Sequence, residues 1–341
     1  MRVSVGICTH NGEKFIAEQL ESILNQSIKP DEIVLTDDAS SDKTVKIAEK
    51  ILRDSTVPYK IVAHETHQGI LKNFSNCLDL CSGDIIFSCD QDDVWMKNKV
   101  EKFLPYFEQG CNFVYSNACV VDSDRNILED DFWKCYGIEF DKLSTSQFSE
   151  LLLRNCCIAG CNMAFTKELY DKIRPIPYHF LHDGWIAICA PWFGKVGFIN
   201  EHLIEYRRHG KNVSGFQAVE GNSENAVYKT TTIFHNRYQA TLPDEWFGNY
   251  HCYTANKIFY ERMKEHISED YTQYLLLYNE YMKSILQCLP KKKIKSIVIL
   301  LKQYLNGNYK MFRGGIKRLA QDILYISVNR NTEFEHDRDI W

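Results

Sequence analysis

Along the first ninety positions, short solid apolar runs alternate with longer segments of helical period. Val3-Ser4-Val5-Gly6-Ile7-Cys8 has the β-branching and length of a strand and ends on the turn-forming residues Thr9-His10-Asn11-Gly12. From Glu13 to Gln26 the apolar residues Phe15, Ile16, Leu20, Ile23 and Leu24 fall on one helix face, and Pro30 closes the segment. Glu32-Ile33-Val34-Leu35-Thr36 predicts a second strand, running into Asp37-Asp38-Ala39-Ser40-Ser41-Asp42. A helix over 43–53, a strand over Tyr59–Ala63 and a helix from Gly69 to Leu80 come next, and then the buried-strand pattern Ile85-Ile86-Phe87. This rhythm predicts right-handed βαβ units: an α/β fold with a mostly parallel central sheet flanked by helices.

Ligands of such sheets bind beyond the carboxyl ends of the strands. The conspicuous polar residues fall there: Thr9, His10 and Asn11, then Asp37 and Asp38, then His67, then Asp90, Asp92 and Asp93. The last three belong to Cys89-Asp90-Gln91-Asp92-Asp93-Val94-Trp95, where clustered carboxylates repel one another unless a cation sits among them. Hard oxygen ligands suit Mg2+ or Mn2+. On charge alone, a solvated acidic turn explains the stretch as well. Three strand ends converging on one edge favour a site. The chain has no GxGxxG or GxxxxGK[ST] loop to cradle phosphates, so a metal is the natural counter-charge.

Farther along, Tyr115 to Val121 reads as a strand, and the stretch from Glu129 to Leu143, rich in Phe, Trp and Tyr, as a mobile lid or part of a groove. Asn155 to Phe165 reads as a strand broken by Gly160, where a ligand can approach the backbone closely. After Gly215 the βα rhythm stops, giving two expected regions, 1–215 and a mainly helical 216–341. In the latter, Asp270 to Cys288 and Ile294 to Tyr304 have helical period.

Composition narrows the setting. The 341 residues are 45% hydrophobic and 25% charged, ordinary for a globular protein, and the net charge of −5 points to no nucleic-acid partner. The charge is uneven, roughly +9 over 290–330 and roughly −14 elsewhere. Lys291 to Lys302 is basic and amphipathic, which suits either the anionic inner leaflet of a membrane or a helix with a solvated basic face. The longest apolar run, Ile297 to Leu301, is far short of the roughly 20 residues of a spanning helix. Thirteen scattered cysteines without a CxxC pair, and no basic-then-apolar leader, fit a reducing cytoplasm; Cys156, Cys157 and Cys161 lack a second ligand pair at zinc spacing.

Val5 to Gly12, Glu32 to Thr44 and the Asp90-Gln91-Asp92 motif, in that order and spacing, resemble the family 2 glycosyltransferases, the inverting group with the nucleotide-sugar fold called GT-A. The likeness spans roughly residues 1–215. It implies that Thr9, His10 and Asn11 meet the nucleotide and that Asp37 accepts the N3–H of uracil or thymine, with Asp38 bracing the turn. Gly69 and Lys72 stand where the family places a diphosphate contact, although Lys72 also reads as a solvated helix lysine. Asp92 is the implied metal ligand, with Asp90 and Gln91 beside the ribose or a metal-bound water, and His209 completing the metal site. Arg207 and neighbouring Arg208 and Lys211 would meet phosphate; a basic surface loop is the alternative.

An inverting transfer also needs a base on the acceptor hydroxyl. His182-Asp183-Gly184-Trp185 stands where the family has an acidic pair, so Asp183 is the implied base and His182 either tunes it or replaces it; Asp183 also reads as a helix N-cap. Trp185 would stack on an acceptor sugar or pack in the core, and Trp95 reads as packing. The break at Gly160 would let that sugar approach the backbone, and the groove over Glu129 to Leu143 would be the acceptor's. Together these imply an enzyme using Mn2+ or Mg2+ and a dTDP- or UDP-sugar. The acceptor would be a bacterial surface glycan or its lipid-linked precursor; a homodimer is a further expectation. The three motif stretches look most like rhamnosyltransferases, making dTDP-L-rhamnose the first donor and UDP-glucose or UDP-galactose the next. A metal-dependent nucleotidyltransferase and a catalytically silent nucleotide- or glycan-binding protein are the rival readings.

Overall fold

The computed structural model describes residues 1–133, 145–154, 158–209, 212, 216–217, 229–230, 244–288, 293–312, 319 and 322–323. The aromatic stretch beyond Trp133, Cys156, Cys157, Gly210, Lys211 and most of the segment after Asn212 lie outside them. The chain forms two compact units, the first built on Met1–Asn212 and the second on Lys229–Trp341.

The first unit is built on one mixed sheet. β1 (Val3–Thr9) is buried along its whole length, as a strand covered on both faces must be. β2 (Glu32–Asp37) and β4 (Ile85–Cys89) flank it in parallel, and β3 (Tyr59–Ala63) extends the sheet beyond β2. The linking helices are α1 (Ile16–Leu24), α2 (Thr44–Arg53) and α3 (Ile70–Leu80). The register places Thr9 beside Asp37 and Ile7 beside Cys89, so the loops after β1, β2 and β4 open on one edge.

Beyond β4 the parallel pattern gives way. β8 (Met163–Thr166) enters antiparallel to both β4 and β6 (Cys111–Val121), and β9 (Lys195–Arg207) then pairs parallel to β6. β5 (Val94–Trp95) lies antiparallel on β9, while β7 (Ile127–Glu129) pairs with β6. Val94 pairs with Glu205, so β9 carries its end back to the acidic loop after β4. α4 (Lys99–Glu108), α5 (Thr145–Arg154), α6 (Lys167–Ile173) and α7 (His182–Cys189) complete the unit. The segment expected as a broken strand is a single tight turn, Gly160–Asn162, leading into β8.

The second unit is helical: α8 (Asp244–Met263), α9 (Glu269–Leu286), α10 (Lys293–Leu305) and α11 (Asn308–Phe312). The Ser268 hydroxyl caps α9 by accepting from the Tyr271 N–H, with Glu269 and Asp270 in its first turn. Its core gathers Tyr278, Tyr281, Met282, Ile285, Leu300 and Phe312. α10 leaves Val298, Leu301 and Leu305 exposed. No helix among the described residues is long and apolar enough to cross a membrane.

Candidate active site

Three turns build the donor side of the sheet edge. After β2, the Asp37 carboxylate accepts from Thr9 Oγ1 at 2.6 Å and from the Ser40 N–H at 2.8 Å, a self-satisfied aspartate turn. Asp38 binds outward to backbone: its two oxygens accept from the N–H groups of Gln68 and Gly69 at 2.6 and 2.9 Å. His67 Nδ1 adds a contact to the Asp38 carboxylate at 2.9 Å. Gly69 has φ +90, a conformation costly to any residue with a Cβ, and it delivers that N–H at the start of α3.

Thr9, Asp37 and Asp38 are almost wholly buried, so in this structure they shape the edge rather than line it. Asp37 thus holds the turn through Thr9 and Ser40 while its carboxylate keeps further acceptor capacity at the edge. The exposed groups there are His10, Asn11, Ser41 and His67. Gln91 clamps this edge to the acidic loop, accepting from the His10 N–H at 2.9 Å and donating to the His10 carbonyl at 3.0 Å. Lys72 is exposed on α3.

The acidic loop divides its carboxylates between two surroundings. Asp92 Oδ2 meets His209 Nε2 at 2.8 Å, and that imidazole stacks on Phe15 with ring centroids 4.6 Å apart. Asp90 and Asp93 turn toward Cys161, with one potential ligand atom from each of the three within 4.8 Å of the others. Burial first, then the charges of Asp92, Asp93 and Asp183, push the Asp90 carboxyl well above the usual range. Burial and Asp92 push Asp93 up to about 7, against the N–H that Arg207 donates to it at 2.8 Å. Burial also holds the Cys161 thiol protonated, which makes it a poor ligand for a hard cation. The donor set that fits Mn2+ or Mg2+ is therefore the Asp92 carboxylate with the His209 imidazole, and Asp90 beside them.

Arg207 departs from expectation. Its guanidinium is 2% exposed and donates to the carbonyls of Asp92 (2.7 Å) and Ser123 (2.8 Å) and to the Glu18 carboxylate (2.5 Å). It also lies over the Phe15 ring. With its donors committed to these groups, it braces the acidic loop instead of presenting a fork to phosphate.

On the acceptor side, α7 begins at His182 with Leu181 at the N-cap position, so Asp183 lies in the first turn rather than capping the helix. The Asp183 carboxylate accepts from the Gly184 N–H at 2.7 Å. His182 is sealed: its ring stacks on Phe74 at 3.6 Å, and Nε2 lies 3.0 Å from Ser88 Oγ. Nδ1 has no partner among the described residues, and burial lowers its pKa to about 3. Gly160 is the complement of that ring, since a Cβ there would lie 2.5 Å from His182 Nε2. The glycine thus makes room for an imidazole, not for a sugar. Trp185 is fully buried and donates to the Ile173 carbonyl at 2.9 Å, so it is a core residue and does not stack on an acceptor. Sequence reasoning also passed over Glu18 and Lys99, whose roles depend on partners far along the chain.

A family model described as "Glycosyl transferase family 2" matches residues 4–174. The UDP-Glc:alpha-D-GlcNAc-diphosphoundecaprenol beta-1,3-glucosyltransferase WfgD of Escherichia coli is 26% identical over 219 residues, 62% of this chain and 79% of that protein. Other curated relatives match over 66% and 39% of their own length, so this chain corresponds to only part of them. Among solved structures, Staphylococcus aureus TarS 1–349 in complex with UDP-GlcNAc superposes with a TM-score of 0.56 at 16% identity, covering 96% of this chain and 87% of that one. The mannosyltransferase PcManGT of Pyrobaculum calidifontis, in complex with GDP-Man and Mn2+, gives 0.51 at 15% identity, covering 96% and 86%.

Proposed function

The chain belongs to glycosyl transferase family 2, and from that premise we propose that it is an inverting, divalent-metal-dependent glycosyltransferase using a nucleoside-diphosphate sugar. The observation that supports this reading is the meeting of two distant motifs. His182 Nε2 lies 3.0 Å from Ser88 Oγ near the end of β4. The turn that abuts His182 through Gly160 brings Cys161 beside Asp90 and Asp93, so the start of α7 and the acidic loop adjoin. An acceptor hydroxyl oxygen attacks the anomeric carbon of the donor while Asp183 takes the hydroxyl proton. The bond from that carbon to the diphosphate oxygen breaks, and the configuration inverts. His182 holds its proton too weakly to serve as that base. It is a buried neighbour that fixes the start of α7. A divalent ion held by Asp92 and His209, with Asp90 beside it, would neutralise the diphosphate leaving group.

The exposed His10, Asn11 and Ser41 would carry the nucleotide, with the exposed Lys72 on α3 as the candidate contact to its phosphates. The donor is a thymidine or uridine diphosphate sugar. Likeness of the motif stretches favours dTDP-L-rhamnose, whereas the UDP-Glc in the name of the Escherichia coli relative favours the glucose alternative. The same name supports a lipid-linked oligosaccharide of a surface polysaccharide as acceptor. That acceptor in turn supports a cytoplasmic protein resting on the inner leaflet, where α10 offers exposed Val298, Leu301 and Leu305 beside Lys295 and Lys302.

The test is nucleoside-diphosphate release from dTDP-L-rhamnose, UDP-glucose and UDP-galactose with a polyprenol-diphosphate oligosaccharide acceptor, comparing the parent with Asp183→Asn. The reading requires release by the parent and almost none by the variant. Equal release by both would remove Asp183 from the mechanism. Pyrophosphate in place of nucleoside diphosphate would instead identify a nucleotidyltransferase.

A further inference from the structure

α1 packs its core face through Ile16, Leu20 and Ile23, all wholly buried. Phe15 stands at the N-cap position of the same helix but is only half-buried. Its ring stacks on the His209 imidazole, with centroids 4.6 Å apart and planes 21° from parallel. The central carbon of the Arg207 guanidinium also lies over it, 4.8 Å from the ring centroid.

The contact matters because of what holds His209. Its backbone is fixed: the Asn212 side chain accepts from the His209 N–H at 2.8 Å and donates to the Arg207 carbonyl at 2.8 Å. The Arg208 N–H donates to the Val121 carbonyl at 2.8 Å. A fixed backbone still leaves the imidazole plane open, because the torsion that turns a histidine ring is broad and roughly two-fold. A ring nitrogen binds its partner in the plane of the ring, so that plane decides what Nε2 can face. Stacked on Phe15, it faces Asp92 Oδ2 at 2.8 Å. Phe15 is itself anchored, since its N–H donates to the Gly12 carbonyl at 3.0 Å, in the loop that carries His10 and Asn11. Three residues on, Glu18 pairs with Arg207.

We propose that Phe15 is a positioning residue: its face sets the plane of the His209 imidazole, so that Nε2 stays on Asp92 and the two form one preorganised pair. That this pair holds a divalent ion rests on the metal reading above. The plane of the ring is a property of the protein alone, and metal affinity follows from it. An imidazole released from the stack would have to be ordered each time an ion bound.

The experiment uses the full chain and its Phe15→Leu and Phe15→Tyr variants, with and without His209→Ala. Mn2+ affinity is read from the paramagnetic resonance of free Mn2+ in the presence of UDP. Phe15→Leu should weaken Mn2+ binding about tenfold, the order expected when a ligating histidine loses the group that orients it. Phe15→Tyr keeps the aromatic face and should match the parent. Combined with His209→Ala, Phe15→Leu should cost nothing further. Parent affinity in a folded Phe15→Leu would overturn the proposal. So would an equal loss in the presence of His209→Ala, because Phe15 would then act through Arg207 or through packing.

A metal-free arm reads the ring directly. In EDTA, with isotope-labelled histidine, the His209 Nε2 resonance is identified by its absence from His209→Ala. Asp92→Asn should shift that resonance in the parent and in Phe15→Tyr, because the bond to the carboxylate is lost, and should barely shift it in Phe15→Leu. An equal shift in Phe15→Leu means that the ring stays on Asp92 without the stack, and overturns the proposal. No shift in the parent overturns it as well. If Mn2+ binds none of these proteins the metal reading fails, and this arm still decides whether Phe15 sets the ring.

Discussion

His209 Nε2 lies 2.8 Å from Asp92 Oδ2 although 117 residues separate them. β9 makes this possible: it runs back along β5, so the residues just after its end stand over the acidic loop. Replacing either partner should therefore weaken donor binding only when metal is present. Asp92→Asn and His209→Ala should each reduce Mn2+-dependent binding of UDP or dTDP by roughly 10- to 100-fold. Calorimetric titration with and without EDTA checks this, and the residual affinity in EDTA should be the same in parent and variants.

The acceptor side should respond differently. Asp183→Asn removes the proton acceptor but keeps the shape of the first turn of α7. Transfer should drop by about 10²- to 10⁴-fold while donor affinity changes little. Steady-state kinetics paired with nucleotide titration separates the two effects.

Trp185 gives a contrasting expectation. Its indole is core, hydrogen-bonded to Ile173. Trp185→Phe should lower stability by about 1–3 kcal/mol, from the lost hydrogen bond and the smaller ring. The acceptor KM should stay at the parent value, measured beside urea unfolding.

His182 predicts a pH dependence whose sign is set by its lowered pKa. The unfolded imidazole takes a proton near pH 6.5, while the folded one resists down to about pH 3. Between those values the unfolded state binds more protons, so stability falls as pH drops through 6.5 toward 3 and is fully present above 6.5. At pH 5 the loss is about 2 kcal/mol. Urea unfolding of the parent and His182→Gln at pH 7 and pH 5 isolates it: the variant should lack this part of the decline.

The linear sequence discloses some parts of this site and hides others. β1, β2 and β4 were legible because each is a short apolar run ending in turn residues, and burial on both faces leaves that pattern little freedom. The acidic loop and the His182-Asp183 pair stood out through the family resemblance, because on charge alone a solvated turn and a helix N-cap explain those carboxylates as well. Side-chain direction was not legible. Trp185 and Arg207 look like ligand contacts in sequence, yet one points into the core and the other braces Asp92 and Glu18. Lys99 looks like an ordinary lysine at a helix start, because nothing local announces that Trp95 and Cys161 close over it. Gly160 read as space for a sugar because the ring that fills the space comes 22 residues later.

The most direct measurement is the thermal midpoint of the full chain with UDP, dTDP and GDP and their sugars, each in Mn2+ and in EDTA. A ligand that binds only the folded state raises the midpoint by mass action. The account expects a rise confined to uridine and thymidine compounds, present in Mn2+, lost in EDTA, and abolished by Asp92→Asn. No rise with any nucleotide in Mn2+ would contradict it and leave the fold carrying a silent binding module.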